Sequence, residues 1–315
     1  MKDRRNGIIQ LAILVALGAA VLLSLVAPDL DRRGHGREPV EVSVLIRSAD
    51  NSLWTNARLG MEQAAGDLGA ELRFLTPAVD NDREEQKELL RREVERGTDA
   101  LVLVPVDPAD LDAEWEALAG DTPTVTLESE LSGAMALITP DNGELGRALA
   151  RRALEEYRGG TVLLLDCLPE NTGVRARVEA AEAALIRGGA TVLRWSETGE
   201  EELIRLDEEG SLAQVVALES GATEAAAQAK ERAGSGAALY GVGVTSRIAA
   251  WLERGTVSAV AAWSEYAAGY LAVQQAAGAA RDKTEPLTET LPFSVVGGDE
   301  IYESEYQKLL FPVTS

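Results

Sequence analysis

Hydrophobic and polar positions in the first part of the chain follow two different periods. Val42, Val44 and Ile46 occupy every second position of a strand predicted at 40–47, which is the period of a strand with one buried face. After a short polar loop, apolar residues recur at helical spacing as far as Leu68. This stretch therefore predicts a strand, a loop and a helix. In open α/β sheets, ligands bind at loops that follow the carboxyl ends of strands.

The same alternation continues to the end of the chain. The run ALVLV at 100–104 is apolar at every position, which is typical of a parallel strand buried on both faces. Further strands are predicted at 71–75, 124–127, 134–139, 161–165, 191–195, 213–218, 239–244, 257–262 and 292–296. Helices are predicted at 54–68, 82–95, 108–118, 141–157, 174–187, 200–208, 222–233, 247–254 and 265–277. Repeated strand–helix units predict an α/β fold with two doubly wound parallel-sheet lobes and a break near Pro140.

Composition and charge narrow the class of function. The net charge of −22 makes nucleic-acid binding unexpected, because an acidic body is repelled by phosphate backbones. The single cysteine, Cys167, lies in an apolar run, so we expect a buried strand thiol and no intramolecular disulfide. The single histidine, His35, lies in a Gly/Arg-rich linker, which argues against a histidine-based metal site or a Ser-His-Asp triad. We expect no metal, no cofactor and no enzymatic activity.

The N-terminus has the pattern of an export segment. Lys2, Arg4 and Arg5 precede an uncharged apolar run at 7–27, which as a helix would be about 31 Å long, enough to cross a bilayer core. The positive flank predicts residues 1–6 in the cytoplasm and the body outside. We expect an uncleaved transmembrane anchor. A cleaved signal peptide, with a typical apolar region of about 7–15 residues, is the alternative. A polar linker follows at 28–39.

Several segments together resemble a known family. They are Asp50-Asn-Ser-Leu-Trp54 after the first strand, the segments 99–107 and 123–129 around the third and fourth strands, the segment 139–146, and the segments 255–263 and 269–273. In this order and spacing the chain resembles a type I periplasmic sugar-binding protein of the ribose/galactose-binding kind, over roughly residues 40–315.

The resemblance implies an architecture and a function. Two lobes would close on a ligand around a three-strand hinge, one lobe formed by 40–139 and 264–283 and the other by 143–262 and 290–315. The ligand would be a monosaccharide or similar polyol, captured outside the cytoplasm and delivered to a membrane permease of an ABC importer. The alternative is a membrane-tethered sensor that presents its sugar-bound state to a receptor partner.

Position by position, the resemblance also implies ligand-binding residues. Asn51 matches an amide that bonds ring hydroxyls, Trp54 an aromatic that stacks on the sugar, and Arg175 an arginine of the second lobe. Departures from the family pattern occur at five places: Leu53 stands where an aromatic is common, Glu128-Ser129 where Asp-Arg is common, Glu219 and Thr245 at two strand ends, and Trp263 at the hinge. The residues at these five places are still expected to bind the ligand, and Asp107 is expected to bind it as well.

Each of these residues also has a structural interpretation. Trp54 and Trp263 would be core aromatics, and Asp107 the N-cap of the helix that begins at Pro108. Arg175 would pair with Glu179 or with the acidic surface. Glu128 and Glu219 would be solvated carboxylates. A general acid–base pair of these two glutamates is disfavoured, because the resemblance places them on opposite lobes with no other catalytic group nearby.

Overall fold

The computed structural model describes residues 39–49, 51–196, 199–281, 287–304, 306 and 309. The predicted cytoplasmic segment, the apolar run 7–27 and most of the linker lie outside this part of the chain. Among the residues that the structure describes, no helix is both long and apolar enough to cross a membrane.

Strands and helices alternate along the described chain. The strands are β1 Val40–Leu45, β2 Ala70–Leu75, β3 Ala100–Leu103, β4 Thr124–Leu127, β5 Ala136–Pro140, β6 Thr161–Leu165, β7 Thr191–Trp195, β8 Leu212–Ala217, β9 Ala238–Val242, β10 Ala259–Trp263, β11 Glu289–Leu291 and β12 Phe293–Gly297. The helices are α1 Thr55–Leu68, α2 Arg83–Arg96, α3 Pro108–Leu118, α4 Asn142–Glu156, α5 Thr172–Arg187, α6 Glu200–Glu208, α7 Ser220–Ala233, α8 Ser246–Glu253 and α9 Glu265–Ala280. A short 3-10 helix, Asn51–Trp54, precedes α1.

These elements form two lobes, each built on a six-stranded sheet. In the first lobe the strand order is β11-β5-β4-β3-β1-β2, and every neighbouring pair is parallel. In the second lobe the order is β12-β10-β9-β8-β6-β7, and β12 runs antiparallel to β10. The predicted α/β fold with two parallel-sheet lobes is confirmed.

Both faces of each sheet are covered by helices, which explains the continuous apolar runs. In β3, Ala100 and Val102 pack into the core beneath α1 and α9, whereas Leu101 and Leu103 pack into the core beneath α2 and α3. Every position of such a strand is buried, so the hydrophobic effect selects apolar residues without alternation. The second lobe repeats this arrangement with its own pair of cores.

Among the described residues the chain passes between the lobes at three places. It crosses from β5 to α4, from β10 to α9 and from β11 to β12. The family resemblance predicts that the second lobe resumes at residue 290. Thr290 and Leu291 instead pair with β5 of the first sheet, and the chain enters the second sheet at Phe293. Pro292, which has no N–H to donate to a ladder, lies between the two strands.

The cysteine does not lie within a strand, contrary to the expectation. Strand β6 ends at Leu165, and Cys167 follows it as a half-buried residue. Burial, together with the negative charges of Glu219 and Asp166, raises the pKa of the Cys167 thiol to about 12. The thiol is therefore protonated at neutral pH and is a poor nucleophile.

Helix α1 contacts α9 through glycine, which gives a first testable prediction. A Cβ added at Gly60 would lie 1.9 Å from the carbonyl oxygen of Tyr266, whereas one added at Gly66 in the same helix would meet no atom within 4 Å. We expect Gly60→Ala to destabilise the protein by about 1–3 kcal/mol, because backbone atoms must move apart. The matched variant Gly66→Ala should stabilise it by about 0.4–1 kcal/mol by restricting the unfolded chain. Urea unfolding of both variants tests this, and equal free energies of unfolding would contradict it.

Candidate functional site

A cleft lies between the lobes at the carboxyl ends of the strands. The space between its walls is about 560 Å³ with its solvent-open mouth included. The first lobe provides most of the wall, and Glu219 and Ser220 face it from the second lobe. The lining residues are Arg47, Leu53, Trp54, Ala57, Leu127, Glu128, Ile138, Pro140, Glu219, Ser220, Trp263, Glu265 and Ala268.

Arg47 connects the two sides of the cleft. It follows β1 and is buried, with its guanidinium 5.8 Å from the centre of the Trp54 ring. Its Nε donates to Glu128 Oε2 at 3.1 Å and its Nη2 donates to Glu219 Oε2 at 3.3 Å. Its Nη1 donates to Asn81 Oδ1 at 3.1 Å. Since Glu128 is in the first lobe and Glu219 in the second, Arg47 makes an ion pair across the cleft.

Arg177 makes a second ionic contact with the same glutamate. It is fully buried in α5, and its Nη1 donates to Glu128 Oε1 at 3.3 Å and to the carbonyl of Leu218 at 3.3 Å. Its Nε donates to Asn142 Oδ1 at 2.6 Å, and its guanidinium lies 4.9 Å from the centre of the Trp263 ring. Arg177 therefore joins the second lobe to Glu128 and fixes the tryptophan at the crossing between the lobes.

Glu128 is held in a strained conformation at the centre of this network. Its φ of +69° lies in the left-handed region, which costs a non-glycine residue about 1–3 kcal/mol. Its carbonyl accepts hydrogen bonds from Thr139 Oγ1 and Asn142 Nδ2, both at 3.2 Å. Its carboxylate accepts from both arginines. Such strain persists when the surrounding contacts determine the conformation, and it is common at ligand-binding sites.

The buried charges of Glu128 and Arg47 stabilise each other, whereas at Arg177 burial outweighs the nearby carboxylates and lowers the pKa. Burial alone would raise the pKa of Glu128, but the guanidinium groups of Arg47 and Arg177 outweigh it and hold this pKa below its usual value. Burial acts to lower the pKa of Arg47, but the carboxylates of Glu128 and Glu219 outweigh it and raise this pKa. Glu128 and Arg47 are therefore both charged at neutral pH.

Further polar contacts join the lobes beside the cleft. Asn171, the N-cap of α5, donates from Nδ2 to the carbonyl of Pro105 at 2.9 Å, and its Oδ1 accepts from Ser129 Oγ at 2.7 Å. Asn56 donates to the carbonyl of Val244 at 3.2 Å. A Cβ added at Gly173 would lie 2.2 Å from the carbonyl oxygen of Glu128, so the backbones of the two lobes are in close contact there.

The residues that the sequence singled out fall into three groups. Those that line the cleft are Leu53, Trp54, Glu128, Glu219 and Trp263. Those placed elsewhere are Asp107, Ser129, Arg175 and Thr245. The backbone of Asn51 begins the 3-10 helix, and the prediction for its side chain lies outside what the structure describes.

The four residues outside the cleft lining have other surroundings. Asp107 caps α3 by accepting from the amide of Asp110, and Ser129 is buried in the contact with Asn171. Thr245 caps α8 and donates its hydroxyl hydrogen to Glu224. Arg175 is half-buried on α5 and does not line the cleft. The hydroxyl and carboxylate groups at helix starts thus satisfy backbone N–H groups that have no partner within the helix.

Sequence reasoning missed Arg47, Arg177 and Glu265. A signal for Arg177 was present, since the buried positions of α5 include Val174, Arg177, Val178 and Ala181. This is the i, i+3, i+4, i+7 stripe of a helix that packs on one face, and Arg175 is not part of it. Arg47 lies at the polar end of an apolar strand, and only its partners identify its role.

Glu265 is the third carboxyl group of the cleft. It begins α9 directly after the cap residue Ser264 and is half-buried. Burial, and then the charge of Glu128, raise the pKa of Glu265 to about 8, although Arg177 acts in the opposite direction. At neutral pH this carboxyl is therefore mostly protonated. No cluster of three or more histidine, cysteine or acidic residues in the described part of the chain could hold a metal ion.

Comparison with known proteins agrees with this architecture. A family model described as a periplasmic binding protein domain matches residues 42–284. No match was found among curated protein sequences.

Several solved structures have the same fold. GanP, a glucose-galactose binding protein from Geobacillus stearothermophilus, is 18% identical and has a TM-score of 0.76, with 84% of this chain and 100% of that chain covered. An ABC transporter solute-binding protein from Agrobacterium vitis, bound with α-D-tagatopyranose, is 18% identical, with a TM-score of 0.78 over 86% of this chain and 98% of that one. A periplasmic component of a sugar transport system from Hahella chejuensis is 22% identical, with a TM-score of 0.74 over 81% and 99%. At sequence identities of 18% to 22%, these matches show that the fold is shared.

Proposed function

The chain belongs to the periplasmic binding protein family, and from this premise we propose that it captures a small carbohydrate-like ligand between its lobes and delivers it to a membrane importer. As a member of this family it is a binding protein and not an enzyme. The observation that carries the proposal is the composition of the cleft, in which two tryptophans lie beside buried, charged hydrogen-bonding groups.

This composition suits the chemistry of sugars. A sugar ring presents C–H faces that pack on aromatic and aliphatic side chains, and Trp54, Trp263 and Leu127 provide such surfaces in the cleft. Its hydroxyls need directional partners, and the carboxylates of Glu128 and Glu219 accept hydrogen bonds from them. The solute-binding protein with α-D-tagatopyranose bound in the same fold supports a ligand of this size.

Binding would be coupled to movement of the lobes. The cleft is bordered by chain crossings and by polar contacts between lobes, such as Arg47 with Glu219 and Asn56 with Val244. Two lobes joined by a few connecting segments close around ligands by a hinge motion. We propose that a sugar enters the open form and that the interlobe contacts form again around it.

The apolar N-terminal run and the family support a place of action outside the cytoplasm. We propose that the run 7–27 is an uncleaved anchor that tethers the body outside the cytoplasm, where a membrane permease receives the ligand. The same tether favours a second candidate, a sensor that presents its ligand-bound state to a receptor subunit. Purification of the full-length chain from membranes would distinguish them, because a feeder retains a permease and a sensor retains a signalling partner.

Thermal-shift screening of the full-length chain against monosaccharides and polyols tests the binding function. A ligand at 100 times its Kd adds about 2.7 kcal/mol to the free energy of unfolding. We expect Trp54→Ala to weaken binding of any such ligand about tenfold or more, because a large apolar contact is lost. The matched variant Trp195→Ala changes a half-buried tryptophan on β7, outside the cleft, and should retain wild-type affinity.

Two results would contradict this proposal. A broad sugar panel that leaves the melting temperature unchanged would remove the basis for a carbohydrate ligand. Equal affinities of the Trp54→Ala variant and the wild type, with a ligand that does bind, would place the site elsewhere.

A further inference from the structure

Glu265 is a cleft carboxyl group without an ion-pair or hydrogen-bond partner in the described part of the chain. It lines the cleft from the first turn of α9, and among the described residues no hydrogen bond or ion pair reaches its carboxyl group. Its side chain is only half-buried, so a bound ligand can contact it. Every other charged group that lines the cleft has an ion-pair partner.

The charges around the cleft leave this one carboxyl uncompensated. Arg47 and Arg177 bring two positive charges, which pair with the carboxylates of Glu128 and Glu219. Glu265 is a third acidic group in the same space, and its charged neighbours are Glu128 from the end of β4 and Arg177 from α5. The arginine bonds Glu128, Asn142 and Leu218, and its Nη2 has no hydrogen-bond partner among the described residues. The two arginines balance the other two carboxylates, and Glu265 is neutral while it holds its proton, so a ligand cation can replace that proton.

We propose that Glu265 binds a protonated amino group of the ligand, so that the cleft takes an amino sugar or a similar cationic polyol. This inference rests on the proposed function, since it specifies the ligand of the same cleft. A hydrogen bond between an ammonium and a carboxylate is about twice as strong as one between neutral groups, and an enclosed site increases the difference.

The protonation state of Glu265 gives the proposal a specific signature. Burial and Glu128 raise its pKa to about 8, so at pH 6.5 the carboxyl of the free protein carries a proton. A ligand ammonium lowers this pKa, and the proton leaves as the ligand binds. An amino group with a pKa of about 7.7–8.0, like that of a peptide α-amino group, is itself charged at pH 6.5. A neutral sugar binds without such a proton release.

Calorimetric titration of the full-length chain at pH 6.5 tests this directly. The probes are D-galactosamine with D-galactose and D-glucosamine with D-glucose, each in two buffers of different ionisation enthalpy. We expect the amino sugar of a pair to bind on the order of tenfold to a hundredfold more tightly than its parent, with release of close to one proton. The parent sugar should release none.

Two variants assign the effect to the residue. Glu265→Gln keeps the shape of the protonated side chain but cannot become negative, so the preference for the amino sugar and the proton release should both be lost. Glu62→Gln on the exposed surface of α1, where Glu62 pairs with Arg58, should keep both. An amino-sugar preference that survives in Glu265→Gln would overturn the assignment.

The pH dependence of stability is a control that tests whether Glu265→Gln is folded and whether Glu265 titrates in the wild type. In the wild type the folded state retains a proton on Glu265 that the unfolded chain loses near pH 4.5. The contribution of this group to stability is therefore present below pH 4.5 and is lost as the pH rises to about 8. Glu265→Gln should remove this decline while leaving a cooperative unfolding transition.

The possible outcomes distinguish failure of the amino-group inference from failure of the proposed sugar-binding function. If both sugars of a pair bind equally and no proton is released, the amino-group inference is overturned and sugar binding stands. If no sugar of either kind binds, the proposed function and the inference are both overturned.

Discussion

Replacing Arg177 by methionine is expected to destabilise the protein by about 3–5 kcal/mol and to abolish ligand binding. The guanidinium is fully buried, and the side chain of its partner Glu128 is 9% exposed. Glu128 would keep only Arg47 as a counter-charge, and loss of one partner of a buried ion pair costs about 3–5 kcal/mol. Asn142 and the carbonyl of Leu218 would lose a hydrogen bond, and Trp263 would lose the cation over its ring.

Urea unfolding and ligand titration of this variant provide the measurement. The matched control is Arg175→Met, which removes the same type of side chain from the same helix two residues away. Arg175 is half-buried and does not line the cleft, so its loss should change the free energy of unfolding by no more than about 0.5 kcal/mol. Equal effects of the two substitutions would show that the buried network is not what gives Arg177 its importance.

The sequence alone predicts the fold and part of the cleft lining. The apolar runs and helical stripes predict the two lobes, because burial of β3 on both faces or of α5 on one face leaves a local pattern. The strand-end rule indicated the loop that contains Trp54, and the family resemblance indicated Glu128, Glu219 and Trp263; all four residues line the cleft. Their chemical roles remain predictions. The ends of parallel strands converge at one edge of a sheet, so position along a strand carries information about the site.

The residues that sequence reasoning missed depend on contacts between distant parts of the chain. Arg47 and Glu219 are separated by 172 positions, and no local pattern indicates that they meet. The family resemblance indicated Arg175 as the ligand-binding arginine. The buried stripe of α5, in contrast, includes Arg177 and not Arg175. Thr245 stood at a strand end but serves as a helix cap, because local hydrogen bonds to the backbone compete for such side chains.

Replacing Arg47 by methionine is the second substitution with a large expected effect, because this side chain joins the lobes directly. Its guanidinium bonds Glu128 of the first lobe and Glu219 of the second, and all three side chains are at most 10% exposed. Arg47→Met would leave Glu219 without its partner across the cleft and Glu128 with one guanidinium instead of two. We expect a loss of about 3–5 kcal/mol in the free energy of unfolding.

The same substitution should shift the lobes towards an open arrangement. Small-angle X-ray scattering should show a larger radius of gyration for Arg47→Met than for the wild type. The double variant Arg47→Met/Glu219→Gln should recover part of the lost stability, because it removes the carboxylate that the single variant leaves unpaired.

Arg83→Met is the control that separates a buried interlobe pair from an ordinary surface pair. Arg83 bonds Asp107 at 3.2 Å within the first lobe, but its side chain is 55% exposed. Pairs of this kind contribute about 0–1 kcal/mol, so its loss should leave both stability and radius of gyration near the wild-type values. If Arg47→Met behaved like Arg83→Met, the closed arrangement of the lobes would depend on the neighbouring contacts of Asn171 and Asn56 rather than on the charges in the cleft. If it opens the lobes as expected, the ion pairs of Arg47 with Glu128 and Glu219 hold the lobes together, and a ligand that bonds these carboxylates adds to contacts that the protein already makes across the cleft.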